Sequence, residues 1–294
     1  MMVNNFPLHA EYLKDIIKTF DDQKIYNDPL PVITDAVYDI QKFVNVDDVW
    51  NDAKGILHNN HFYAIGIVGT QGTGKSTLLE QFAQKALDND YKLIYALPED
   101  YLTNVDAWLD KVKVDPRART CLALDDLSYS FDSESKKKQA HMKNVIARVR
   151  HIFAGEVFVI YVTHRLHATP PMLRNAGTWI FTQLSTIDRD DMREIIGKSK
   201  EQRDTLEAMQ SFLTNAVTAG NKNADITYSI NEKLYKFKWG NVNDKGDGRL
   251  MAALHNNELQ IFNSTANYHI DLRQYQYPTN DLGLVQDVHT QLIE

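Results

Sequence analysis

The order of apolar and polar positions divides the chain into three stretches of different periodicity. Up to about residue 60, apolar residues recur at helical spacing, as Val32, Ala36, Ile40 and Phe43 do, and predict helices over 8–20, 30–44 and 46–56. From residue 62 short continuous apolar runs take over, at 62–68, 91–97, 120–124, 156–164 and 178–183. Such runs suit strands buried on both faces, as in a parallel sheet covered by helices. Amphipathic stretches predict helices between them at 75–87, at 105–112 and around Met142, Val145, Ile146 and Val149, with further helices from Asp188 and over 199–217. Beyond a polar stretch starting at Gly220 the period falls to two, in 233–239, 250–254 and 259–262. The expected organisation is a helical N-terminal segment (1–60), an α/β core (61–219) and a small β-rich C-terminal appendage with its tail (220–294).

The first core strand runs into Gly69-Thr-Gln-Gly-Thr-Gly-Lys-Ser-Thr77, and a helix follows. The spacing Gly69-x-x-x-x-Gly74-Lys75-Ser76, in that strand-to-helix context, predicts a phosphate cradle. The backbone N–H groups of Gly69, Thr70, Gln71, Gly72, Thr73, Gly74, Lys75, Ser76 and Thr77 would surround a polyphosphate. Lys75 would reach its outer phosphates, and the Ser76 hydroxyl would face Mg²⁺. A flexible glycine turn that happens to carry a lysine is the weaker alternative.

One strand later, the run 120–124 ends in Asp125-Asp126. A carboxylate at the carboxyl end of a buried strand can hold the Mg²⁺ shell, which is the expectation for Asp125, while Asp126 lies within reach of an attacking water. Two aspartates capping a loop would be the bland reading without the phosphate loop upstream. The fourth strand ends in Thr163-His164, at the edge where a hydroxyl or imidazole can sense the outer phosphate. His164 and His167 have no third acidic or cysteine ligand close by, which argues against a metal pair.

Strands joined by helices, with the phosphate loop after the first strand and the carboxylates after the third, predict a doubly wound α/β, mainly parallel sheet binding its ligand at the strand carboxyl ends. The strand at 91–97 intervenes between loop and aspartates. That resembles the additional-strand branch of P-loop NTPases, for which the implied order is 5-1-4-3-2 and the implied ligands are ATP and Mg²⁺.

Composition narrows the setting. The 294 residues are 43% hydrophobic, enough for a substantial core, and the only cysteine is Cys121, which excludes an internal disulfide framework. No apolar run approaches about 18 residues and the start lacks a signal-peptide pattern, so a soluble, cytoplasmic protein without membrane contact is expected. The formal charge of −7 argues against an all-over basic nucleic-acid binder and leaves DNA contact to local patches or to a ring of subunits focusing positive charge into a channel.

Val162-Thr-His-Arg-Leu-His-Ala-Thr-Pro-Pro-Met-Leu-Arg-Asn-Ala-Gly-Thr-Trp-Ile-Phe181 resembles the FtsK/HerA superfamily, in particular viral genome-packaging ATPases of the poxvirus type. Such proteins show an apolar strand with a polar end, a proline-bearing turn, an Arg-Asn pair and another apolar strand. Pro170, Pro171, Arg174, Asn175 and Ile180-Phe181 fill those places, over a resemblance spanning about 60–197. It implies an ATP hydrolase that translocates or packages DNA, expected to be double-stranded, as a homo-oligomeric ring in host cytoplasm or virion, with a capsid or portal protein as a further partner. It also implies Asp126 as the water-orienting base and Arg174, before Arg148 and Arg150, as the arginine supplied to a neighbouring subunit. Most members place glutamate at the base position and often glutamine at the strand-end sensor, where this chain has Asp126 and Thr163-His164. Two alternatives stand beside it: an AAA+ ATPase of the helicase-loader or transposition-helper type, and a nucleotide-gated scaffold without productive turnover.

Overall fold

The computed structural model describes residues 34–40, 44–97, 118–126, 155–166, 176–183, 192, 195, 200–214, 224–230, 233–239, 249–264 and 270–276. The helices expected at 8–20, at 105–112 and around Met142 lie outside these residues, as does most of the stretch following Asp188.

A capping box fixes where the first described helix, α1 (Val46–Asn60), begins. Asn45 Oδ1 accepts from Asp48 N at 3.0 Å, and Asp48 Oδ2 accepts from Asn45 N at 3.1 Å. The helix ends at His61, which is left-handed at φ 57° and donates its N–H to Leu57 O. It therefore runs one turn beyond the expected 46–56. Its buried stripe is Val46, Val49, Trp50, Ala53 and Leu57. The Trp50 ring stands edge-on to Tyr91 and Phe158, with centroids 5.4 and 5.0 Å away.

The core follows with β3 (Phe62–Gly69), α2 (Lys75–Leu87), β4 (Lys92–Ala96), β5 (Thr120–Leu124), β6 (Val157–Thr163) and β7 (Thr178–Gln183). These five strands are mutually parallel in the order β7-β3-β6-β5-β4, the expected 5-1-4-3-2 counted along the core. All residues of β5 and β6 are buried, and all of β3 after Phe62, which explains why they read as unbroken apolar runs. On one face, Tyr63, Ile65, Ile67, Phe158, Ile160 and Val162 join α1 and α2 residues such as Trp50, Leu57, Leu79 and Phe82 in one core. The fold is a doubly wound, mainly parallel α/β sheet of the P-loop NTPase-like type.

One expectation at its margin is corrected. Residues 34–40 form a strand, β1 (Thr34–Ile40), and Val44–Asn45 a second short one, β2, where a helix was expected over 30–44. The cause is non-local: β1 pairs in parallel with β9 (Lys233–Trp239), which also pairs antiparallel with β8 (Ala224–Ile230), giving a separate three-stranded sheet. Partners that far away in sequence override local periodicity. Within the β-rich C-terminal part, the hairpin β10 (Arg249–His255) and β11 (Glu258–Ser264) joins the main sheet. It lies antiparallel beside β7 and continues the main sheet, with β2 at the far edge. Helix α3 (Lys200–Phe212) touches both sheets, stacking Phe212 on Phe237 at 4.8 Å.

At the amino end of the parallel strands a polar relay crosses the sheet. Tyr63 OH lies 2.7 Å from Thr178 Oγ1, which lies 2.7 Å from His255 Nδ1; His255 Nε2 lies 2.8 Å from Asp52 Oδ2. Asn256 donates to the same Asp52 oxygen at 2.9 Å.

Candidate functional site

The opposite, carboxyl end of the sheet gathers the chemistry. Register places Val68 beside Thr163 and Phe181, and Leu124 beside Tyr161, so the segments after β3, β5, β6 and β7 emerge at one edge.

Gly69 closes β3, and a Cβ there would collide with Thr182 Oγ1 and crowd the Gln183 backbone, so no side chain fits. This close approach belongs to a hydrogen-bonded belt. Thr182 Oγ1 donates to Val68 O at 3.1 Å and lies 2.6 Å from Thr73 Oγ1, which is 2.8 Å from Thr70 O. Outside it, Thr70 Oγ1 donates to Gln183 Oε1 at 3.2 Å. The end of β7 thus holds the loop shut across its base. Gln71 and Gly72 form the exposed tip, Thr73 is buried, and Gly74 turns the chain into α2 at φ 91°, a conformation that favours glycine. Ser76 is exposed and Thr77 half-buried in the first turn of α2, whose N-terminus adds its positive dipole end.

Lys75 is buried, and its Nζ donates to Thr70 O at 2.7 Å. Burial pushes its pKa below the ordinary lysine value, while the carboxylates of Asp126 and Asp125 pull the other way. Both aspartates therefore act on the loop cation, although β6 lies between their strand and β3.

Asp125 is held by two donors: Tyr95 OH reaches Oδ2 at 2.9 Å, and the N–H of Asp126 reaches Oδ1 at 2.9 Å. Asp126 sits at φ 42°, a left-handed conformation that aspartate tolerates better than most side chains. Its Oδ1 lies 3.5 Å from His164 Nε2, and both side chains are about one-third exposed (33% and 35%). Thr163 is fully buried. Its hydroxyl donates to Arg165 O at 2.8 Å and accepts from Arg165 N at 3.4 Å, shaping the turn that presents His164. Arg174, Arg148 and Arg150 lie outside the described residues.

The donor set at this edge, a serine hydroxyl and an aspartate carboxylate, is made of hard oxygens. Mg²⁺ suits it, because that ion keeps several waters and takes only one or two protein ligands beside phosphate. Among the described residues no group of three or more His, Cys, Asp or Glu is placed to hold a metal alone.

Tyr95, Thr182 and Gln183, which hold Asp125 and the loop, carry no motif signal in the sequence. Their signal is positional: each ends a strand that the order 5-1-4-3-2 puts beside the loop or the aspartates.

No family model and no curated protein matches the chain. Among solved structures, the AMPPCP-bound DnaA of Aquifex aeolicus aligns at 15% identity over 56% of this chain and 60% of its own, with a TM-score of 0.35. The genome-packaging NTPase B204 of Sulfolobus turreted icosahedral virus 2, in complex with sulfate, aligns at 15% identity over 62% of this chain and 98% of its own, with a TM-score of 0.39. The flagellar accessory protein FlaH of Methanocaldococcus jannaschii aligns at 15% identity over 40% of this chain and 70% of its own, with a TM-score of 0.23. These similarities are too distant to carry an argument about activity, and it is the chain's own strand order, phosphate loop and strand-end aspartates that make it an α/β protein of the P-loop NTPase-like fold.

Proposed function

We propose that the protein is an ATP-hydrolysing motor that moves or packages double-stranded DNA, working as a homo-oligomeric ring in which each ATP lies between neighbouring subunits. The observation that carries this reading is the joint placement of Lys75, Asp125 and Asp126. The loop cation and two carboxylates from a strand beyond an additional one stand at the same carboxyl edge, with Asp126 turned toward His164. A second carboxylate beside the first, one-third exposed and turned toward an imidazole, suits attack by water better than transfer to a bound acceptor.

In this mechanism the backbone N–H groups of 69–76 and the α2 N-terminus bind the phosphates, and Lys75 exchanges its bond to Thr70 O for an outer phosphate oxygen. Ser76 and Asp125 would hold Mg²⁺, which supplies charge neutralisation on the phosphate oxygens. Asp126 orients the water and accepts its proton, and Thr163 sets the turn that holds His164 against Asp126. Arg174 of an adjacent subunit stabilises the charge developing on the transferred group. Arg174→Ala is expected to leave nucleotide binding nearly intact and abolish turnover.

The decisive experiment measures particle size and ATPase rate with and without duplex DNA. An assembly larger than a monomer whose turnover rises with DNA supports the motor. A monomer whose turnover ignores DNA overturns it, and wild-type protein that binds ATP without hydrolysing it leaves the nucleotide-gated scaffold instead. A capsid or portal protein as docking partner belongs to the packaging form of the same proposal.

A further inference from the structure

The C-terminal hairpin reaches the phosphate loop. The antiparallel register of β10 against β7, with His255 opposite Thr178 and Ala252 opposite Phe181, carries Arg249 to the carboxyl edge of the parallel strands. There Arg249 Nη1 lies 3.6 Å, and Met251 Cε 3.7 Å, from the point where a Cβ on Gly74 would stand. Gly74 is the N-cap of α2, has no side-chain cap, and immediately precedes Lys75.

The backbone of Arg249 is clamped: its N–H donates to Ser264 Oγ at 3.1 Å, and Ser264 Oγ donates to Arg249 O at 3.1 Å. Its side chain is exposed, and among the described residues no carboxylate pairs with the guanidinium. A guanidinium beside a helix N-terminus and next to a lysine meets the wrong end of the helix dipole. Such a placement is unfavourable by itself and becomes favourable once an anion shares the space. Met251, which is buried, brings its Cε to the same point beside Gly74.

We propose that Arg249 is a second side-chain cation of the cradle, binding a phosphate of the nucleotide in cis from a strand outside the five-stranded core. The proposal rests on the reading of 69–76 as a nucleotide cradle; phosphate bound by Arg249 would link β10 to the α2 N-terminus.

The test is a titration of the full chain with mant-ATP, alongside adenosine as competitor, for wild type, Lys75→Ala, Arg249→Ala and Arg249→Lys. Arg249→Ala is expected to raise the Kd for mant-ATP about tenfold, roughly 1.4 kcal/mol, while adenosine competes as it does in wild type. Arg249→Lys keeps the charge without the forked geometry and should recover part of the loss. Thermal unfolding without nucleotide should be nearly the same for wild type and Arg249→Ala, and the stabilisation added by ATP smaller in the variant. Should Arg249→Ala fail to fold, Arg249→Gln carries the same readout.

If Lys75→Ala loses binding but Arg249→Ala binds mant-ATP within twofold of wild type, this inference fails and the cradle stands. If adenosine and mant-ATP weaken by the same factor, Arg249 does not hold phosphate and the inference also fails. If wild type binds no nucleotide, both readings fail together.

Discussion

Asp125 has both carboxylate oxygens engaged, by Tyr95 and by the N–H of its neighbour, whereas Asp126 faces the ring of His164. Two adjacent carboxylates thus receive different environments, one held in direction by two donors, the other one-third exposed beside an imidazole. In the proposed mechanism Asp126→Asn removes the proton acceptor and keeps the shape. Turnover should fall about 10²- to 10⁴-fold with ATP affinity within about twofold of wild type, measured as ATPase rate against mant-ATP titration. In the proposed mechanism His164 acts through Asp126, so His164→Ala should lower kcat roughly ten- to a hundredfold, the range for outer partners that orient a working group, while Kd for ATP stays put. His164→Asn, which retains a side-chain N–H, should restore part of kcat. A merely structural role would move stability instead.

At the scale of elements, the phosphate loop is held by the strand that ends beside it. Thr182 serves Val68 O and Thr73 together, in a place where Gly69 leaves room for no more than hydrogen. Thr182→Val keeps the volume and deletes the hydroxyl, leaving buried polar atoms short of a partner. It should destabilise the fold by about 1–3 kcal/mol in urea titration and weaken ATP binding through a looser loop, with Thr182→Ser close to wild type. The loop itself was legible because its spacing is local, and the five core strands because burial on both faces leaves an unbroken apolar signature. Thr182 and Tyr95 were not legible, because their importance comes from strand order, and no spacing in sequence announces which strand ends will meet. The segment 34–40 misled for the same reason: its helical spacing is real, yet β9 offers it a backbone partner.

Across the whole molecule, the two ends of the sheet have separate duties. Nucleotide chemistry is assigned to the carboxyl end, while at the amino end the relay from Tyr63 through Thr178 and His255 to Asp52 binds α1, β3, β7 and β10 into one body. Hydrogen bonds from His255, then from Asn256, hold the Asp52 carboxyl below its ordinary value of 3.8. A depressed carboxylate contributes stability that is fully present above its unfolded pKa and is lost as pH falls through the lower folded one. The Asp52 contribution should therefore persist down to about pH 4 and disappear below it. Asp52→Asn should be less stable than wild type at neutral pH, and the gap should close on acidification, as read by chemical denaturation at a series of pH values. The half-exposed carboxyl keeps that gap modest, so a gap that widened below pH 4 would contradict the assignment.

The pairing of β1 with β9 also has a temporal meaning. A strand at Thr34–Ile40 whose partner is Lys233–Trp239 has to wait, during synthesis, for some two hundred further residues to leave the ribosome before its ladder can form. The core strand β7 waits similarly for Arg249–His255 to cover its open side. Contacts this distant in sequence slow folding and leave sheet edges exposed in the nascent chain. Translation arrested just before residue 233 should accordingly yield an aggregation-prone, chaperone-bound polypeptide even though every residue of the phosphate loop and both aspartates has already been made.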